Sequence, residues 1–288
     1  MPRVFITGGS SAIGQCVISQ LIACGCSVTA LTHRQFLPGS LPVKTITGSI
    51  LEPKSYMAAV RDAEVILHLA GLSHSDIPKQ YDDLNTEGTR CLLGVCVPTT
   101  FFLYLSTRCA HPDGGDYAVS KLRAEQAVMS SGLRYAIVRP AEIYGTKAGE
   151  GIDRMLQFAL HYRLVFDFRQ HGSATSYAPI SAHEVAEFLV KVAVKPSHDK
   201  AVYTLCAERS WTADDICQEL TRFRRCRHFV FPIPIRWLEL LMKMRIPMPF
   251  KRDQIARLIV AKSNDLSTTR IDYGFNPRPF AEYINTLL

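Results

Sequence analysis

Six short, almost wholly apolar runs recur through the first half of the chain, at 3–7, 27–32, 43–47, 65–69, 101–106 and 134–139. Helical spacing fills most of the intervals, near 12–24, 53–62, 79–97 and 115–131. Runs such as Val65-Ile66-Leu67 do not alternate polar with apolar, which is the pattern of strands covered by helices on both faces. Strand, helix and strand at this spacing imply right-handed crossovers, and so predict an α/β fold with a parallel, doubly wound sheet of Rossmann type. After about Gly145 the rhythm changes to a helix near 150–163, a strand near 164–168, a helix near 182–194, a strand near 201–205 and a helix near 212–223. Prolines at 232, 234, 247 and 249 then punctuate the chain. Residues 1–145 are predicted to form a dinucleotide-binding domain, and 146–288 mainly a smaller C-terminal α/β substrate lobe, partly interleaved with the sheet.

No apolar run approaches the roughly 18 residues that a membrane span needs. The first residues run into a strand with no secretory leader ahead of them, so the expectation is a cytoplasmic protein. The nine cysteines form no CxxC pair, and Cys217, Cys226 and His228 lack a fourth ligand at zinc spacing, so no metal site is expected. Reduced thiols in apolar surroundings are the expected state.

The first strand ends in Thr7-Gly8-Gly9-Ser10-Ser11-Ala12-Ile13-Gly14, and a helix opens there. Glycine permits the tight turn and lets backbone amides approach a pyrophosphate at the positive helix end, although a plain strand–helix turn also favours Gly and Ser. Its place after the first strand points to dinucleotide binding by Gly8, Ser10, Ser11, Ala12, Ile13 and Gly14. At the end of the second strand, where NAD enzymes carry an acid, stand His33 and Arg34, and no acid occurs between Gly14 and Glu52. An Arg there can accept a 2′-phosphate, which favours NADP(H) over NAD(H); exposed polar residues at a strand end are the alternative.

Only Tyr117 among the tyrosines has a lysine four residues on, Lys121. On a helix the two share a face, so the ammonium is expected to favour phenolate and lower the phenol's pKa towards the working range. Ser106 and Thr107 end the fifth strand, where open α/β sheets bind ligands.

With these pieces the chain resembles the extended short-chain dehydrogenase/reductases, the nucleotide-sugar epimerase, dehydratase and reductase family. The motifs fall in family order: Thr7-Gly8 to Gly14, His68-Leu69-Ala70-Gly71, Asn85 to Thr89, Leu105-Ser106-Thr107, Tyr117 to Lys121 with Glu125, and Arg139-Pro140 to Gly145. Later, 178–186 looks like the family's substrate-lobe segment and 272–277 like its closing one, so the resemblance covers essentially the whole chain. It implies Tyr117 as general acid/base, Lys121 as ribose ligand, Thr107 on the reacting oxygen, and Ala70, Gly71 and Pro140 along the cofactor. It further implies Asn85 as support of the active-site network, substrate contacts at Ser73, Thr107, Arg108 and Glu142, and a homodimer through the helices near 79–97 and 115–131. From the residues alone, Asn85 reads as a helix-surface amide, and Arg139-Pro140 reads equally as an ordinary strand exit.

The departures bear on function. Ser11 and Ala12 stand where family patterns place a glycine, Ser49 replaces an acid near the adenine, and Glu142 replaces an Asn or an apolar residue. Thr107 and Tyr117 are only ten residues apart, so the site is expected to be open, or completed by another element. Arg108 and Cys109, rather than an acid pair, follow Thr107, which speaks against dehydration. The expected activity is NAD(P)-dependent 4-keto reduction or C4 epimerisation of a sugar on a nucleotide or lipid diphosphate carrier. The alternative is a non-catalytic NADP(H)-binding scaffold or sensor.

The formal charge of +7 is concentrated between Arg222 and Arg252, with nine basic residues against Glu239 alone. No nucleic-acid recognition motif accompanies them, so no nucleic-acid partner is expected. The stretch 235–246 has helical amphipathicity. It reads either as a core-facing helix of the substrate lobe or as a peripheral membrane contact on the inner face of a membrane.

Overall fold

The structure, a computed structural model, describes the chain except residues 34–36, 38–41, 147–150, 245–251 and 288 and the Arg252 side chain. In chain order the first half runs β1 (Arg3–Thr7), α1 (Ala12–Ala23), β2 (Ser27–Thr32), β3 (Lys44–Thr47), α2 (Met57–Asp62) and β4 (Val65–His68). It continues with α3 (Pro78–Tyr81), α4 (Gly88–Leu93), β5 (Phe101–Leu105), α5 (Gly115–Ser130), β6 (Arg134–Pro140) and β7 (Ile143–Tyr144). The second half holds α6 (Gly151–Tyr162), β8 (Leu164–Gln170), β9 (Ser173–Ala174), β10 (Ile180–Ser181), α7 (Ala182–Val194), β11 (Lys200–Leu205) and α8 (Ala213–Arg224). It closes with β12 (Phe229–Pro234), α9 (Ile235–Lys243), α10 (Arg252–Ile259), α11 (Ser267–Tyr273) and α12 (Phe280–Thr286).

Seven strands form one parallel sheet in the order β11-β6-β5-β4-β1-β2-β3. Because side chains alternate along a strand, its apolar runs feed two cores. Val4, Ile6, Leu67 and Leu103 pack with Val17, Leu21 and Leu189 of α1 and α7, whereas Phe5, Ile66 and Phe102 pack with Val60, Leu92 and Val128. The Rossmann-type α/β fold is therefore as expected, with β11 and α7 of the second half completing the sheet layer.

Residues 82–87, between α3 and α4, wind as a wider π turn, which rotates Asn85 and Thr86 into the interior. Prolines 232 and 234, read from the sequence as punctuation, instead lie on β12, which pairs in parallel with β8. An edge position makes that pairing tolerable, since proline lacks only the amide. β8, β12 and β9 make a small three-stranded sheet in the C-terminal lobe, packed on a separate core that includes Leu156, Trp211, Leu220 and Phe280.

Candidate active site

The chain leaves β1 towards β2 and β3 and returns on its other side at β4, so the crevice of the open sheet lies at the carboxyl ends of β1 and β4. Gly8 there has φ +72°, and a Cβ on it would lie 2.6 Å from the Ala70 amide nitrogen. A Cβ on Gly14 would lie 2.3 Å from the Gly8 carbonyl oxygen. Both positions require glycine. Ser11 caps α1, its hydroxyl accepting from the Gly14 amide at 3.0 Å and donating to the Gly8 carbonyl at 2.9 Å. Helix geometry leaves the Ala12 and Ile13 amides without intrahelical partners at the positive helix end. The cradle fits the pyrophosphate of a nicotinamide dinucleotide, with Ser10, Ser11, Ala12 and Ile13 at its rim. His33 is exposed just after β2; Arg34 lies outside the described residues.

A buried chain of hydrogen bonds fixes this crevice. The Thr89 hydroxyl donates to the Asn85 carbonyl at 2.6 Å, so at 2.9 Å it must accept from His68 Nε2. His68 Nδ1 then accepts from the Thr7 hydroxyl at 2.7 Å, and Thr7 accepts from the Ala70 amide. Burial and the Lys121 charge hold His68 down at about 3, so it is neutral at ordinary pH. Asn85 is no surface amide: it bonds both the amide and the carbonyl of Leu72, and donates to Ser120. Gly71 lies so near that a Cβ would be 3.2 Å from Asn85 Oδ1 and 3.7 Å from Lys121 Nζ.

Tyr117, half-buried on the first turn of α5, stands beside Thr107 at the end of β5. Lys121 shares its helix face, and its ammonium donates to the Leu105 carbonyl at 2.7 Å and lies 4.2 Å over the Tyr104 ring. Burial lowers Lys121 to about 7, with the Glu125 charge opposing. The expected lowering of the Tyr117 phenol does not occur in this structure. Burial pushes the phenol up to about 12, against the opposing Arg257 charge and Thr107 hydroxyl.

Arg257 comes from α10, which sequence reasoning did not single out. Its guanidinium lies 4.1 Å over the Tyr117 ring, donates to the Ser73 carbonyl at 2.9 Å and pairs with Asp253 one turn earlier. Asp253 in turn accepts from the Tyr117 amide at 3.0 Å, supplying an N-terminal cap that Gly114 has no side chain to give. α10 thus lies against the site beside the short 107–117 connection, so of the two expectations, an open site or one completed by another element, the second matches. Its one sequence signal was an Asp–Arg pair at i and i+4, adjoining the basic run.

Arg108 and Glu142 meet as an ion pair at 2.8 Å, joined by Lys262 at 3.1 Å and Asn264. Arg108, Lys262 and Asn264 line a cavity of about 260 Å³ with Gln170 and Thr175. Pro140, at the end of β6, accepts from the Arg108 amide at 2.9 Å, while Ser73 faces α10. Nothing in the spacing of Lys262 and Asn264 marked them beforehand.

The profile of the NAD dependent epimerase/dehydratase family matches residues 4–165, and that of the RmlD substrate binding domain matches residues 98–286. The chain is 29% identical over 147 residues to the ceramide reductase of Caulobacter vibrioides, covering 49% of this chain. It is 21% identical over 239 residues to the 40 kDa subunit of mitochondrial NADH-ubiquinone oxidoreductase of Neurospora crassa, covering 79% of this chain. It spans 46% and 62% of the lengths of these two relatives. MoeE5 in complex with UDP-glucuronic acid and NAD superposes with a TM-score of 0.77 at 17% identity, over 99% of this chain and 97% of that one. The UDP-N-acetylglucosamine 4-epimerase of Bacillus cereus does so with a TM-score of 0.72 at 17% identity, over 100% and 98%. At these identities the likeness shows a shared fold.

Proposed function

Since the chain belongs to the NAD dependent epimerase/dehydratase family, we propose that it is an NAD(P)-dependent oxidoreductase or epimerase acting on a sugar carried by a nucleotide or lipid diphosphate. The reaction is 4-keto reduction or C4 epimerisation. The observation that most supports this is the convergence of Thr107, Tyr117 and Lys121 at the carboxyl end of β5. Gly8 to Gly14, Ala70, Gly71 and Pro140 hold the dinucleotide. When bound, the nicotinamide gives or accepts hydride. The Tyr117 phenol gives or takes the proton of the sugar hydroxyl, and the Thr107 hydroxyl orients that oxygen. Lys121, charged below about pH 7, binds the ribose, and the Arg257 guanidinium over the Tyr117 ring favours the phenolate. Arg108 and Glu142 line the substrate side.

The test is NADPH consumption against a panel of nucleotide- and lipid-diphosphate 4-keto sugars. Turnover with one of them upholds the reading, whereas NADPH binding with no turnover transfers support to the scaffold or sensor alternative. The observation that favours this alternative is the seating of Arg257 and Asp253 on Tyr117.

His33 and Arg34 in place of an acid make NADPH the preferred cofactor, bound several-fold more tightly than NADH. Fluorescence titration with both cofactors measures this, and equal affinities or a preference for NADH would overturn it. Arg34→Asp should narrow or reverse the gap. Because burial sets Lys121 at about 7, its charge and the affinity that depends on it should decline as pH rises through that value. Lys121→Met should be weaker throughout and lack this dependence.

The partner proposals are a homodimer through α3, α4 and α5, and peripheral membrane contact through 222–252. No helix among the described residues is long and apolar enough to cross a membrane.

A further inference from the structure

Apolar side chains on an amphipathic helix ordinarily turn to one side. α9 has two apolar sides. Ile235 and Leu238 face inward and pack with Phe168 and Ile255, the latter from α10. Trp237, Leu240 and Met244 recur at i, i+3 and i+7 on another face, and they are exposed. β12, which runs directly into α9, carries Phe229 and Phe231 two residues apart and so on one face. These five side chains are 53–63% exposed within sixteen residues of chain. Scattered single exposures need no explanation, but a concentrated set does.

Charge selects the occupant. Arg222, Arg224, Arg225 and Arg227 precede the apolar stretch, Arg236 and Lys243 lie within it, and all six are exposed. Glu239 is the only acid from Arg222 to Met244. A second copy docked through the same face would set these cations against each other. Strand addition at β12 is also disfavoured, because Pro232 and Pro234 remove amides from it. A nucleic acid would answer the cations but give Leu240 and Met244 no apolar contact. An anionic bilayer answers both.

We propose that β12 and α9 form a membrane-docking surface, with Phe229, Phe231, Trp237, Leu240 and Met244 entering the headgroup–acyl boundary and the flanking arginines at the lipid phosphates. α10 packs on the inner face of α9 and places Arg257 over Tyr117, so the surface lies one helix away from the candidate active site. That position suits a sugar on a lipid diphosphate. The proposal deepens the membrane part of the proposed function and is independent of the redox chemistry.

The test uses the full chain with phosphatidylcholine vesicles and with phosphatidylcholine–phosphatidylglycerol vesicles. Of the two tryptophans, Trp211 is buried and Trp237 exposed, so Trp237 reports insertion. The expected result is co-sedimentation with the anionic vesicles alone, a blue-shifted Trp237 emission, and loss of binding at high salt. Trp237→Ser with Leu240→Ser should lower vesicle affinity at least tenfold with an unchanged thermal midpoint, since both side chains are exposed. Arg222→Ala and Arg224→Ala should each lower it by about fivefold. The proposal is overturned by absence of binding to the anionic vesicles at low salt, or by unchanged binding of the Trp237/Leu240 variant. Capture of a single-stranded oligonucleotide without vesicle binding also overturns it, and assigns the face to nucleic acid. In any of these cases the Tyr117 and cofactor predictions stand; their own failure would leave vesicle binding unaffected.

Discussion

Tyr117→Phe is expected to lower turnover by roughly 10²–10⁴-fold while NADPH binding stays within a few-fold of wild type. The substitution keeps the ring, and with it the stacking of Arg257 and the contact with Tyr81. It removes the hydroxyl, and so both the proton that the proposed reaction moves and the hydrogen bond with Thr107. A phenol pushed up to about 12 by burial is almost wholly protonated near neutral pH, ready to act as an acid in the direction of ketone reduction. Reduction should therefore be the faster direction at neutral pH, and alcohol oxidation should rise with pH. Full activity of the Phe variant on a true substrate would remove Tyr117 from the mechanism. A loss of turnover matched by an equal loss of NADPH binding would place Tyr117 in cofactor binding and not in proton transfer.

Glu142→Leu is expected to destabilise the fold by about 3–5 kcal/mol, because it strands Arg108 and Lys262 in the interior without their counter-charge. Their side chains are only 4% and 9% exposed. Burial pushes the Glu142 carboxyl up, but Lys262, Arg108 and the Ala178 amide together hold it at about 2. The unfolded chain binds that proton at a higher pH than the folded one, so the stabilisation is complete above the ordinary carboxylate range and is lost as pH falls towards about 2. His68 adds to the same acid sensitivity. Its folded value of about 3 lies below the ordinary imidazole value, so its contribution is complete above that value and declines as pH falls below it. Urea unfolding from neutral to acidic pH should show a steep loss in the wild type and a shallower one in Glu142→Leu. A variant within 1 kcal/mol of wild type at neutral pH would mean that the triad is not holding the C-terminal lobe to the end of β5. Replacing Arg108, Glu142 and Lys262 together with apolar residues should recover much of the loss.

Different physical reaches separate what could be read in the chain from what could not. The sheet was legible because a strand covered on both faces must be apolar throughout, and that is a local property of runs such as Phe101 to Leu105. The glycine turn was legible because the positive φ of Gly8 and the close approach at Gly14 exclude a side chain whatever the surroundings. Tyr117 and Lys121 were placed on one face by helix spacing alone. Asn85 was less so, because a π turn inside the helix, absent from any simple periodicity, decides which way it points.

Sequence alone thus determined the raw material of the sheet, the glycine turn after β1 and the shared helix face of Tyr117 and Lys121, since each depends on residues a few positions apart. Only the tertiary structure decided what surrounds them. Asp253 reaches the Tyr117 amide across 136 residues, and Asn264 reaches Arg108 across 156. Spacing cannot announce such contacts, because they follow from how the second half folds back over the carboxyl ends of the strands. The same holds for the charges. Helix periodicity put Lys121 beside Tyr117, yet the cation stacked on the phenol ring is Arg257, and the desolvation that sets the phenol's proton affinity is a property of the assembled fold.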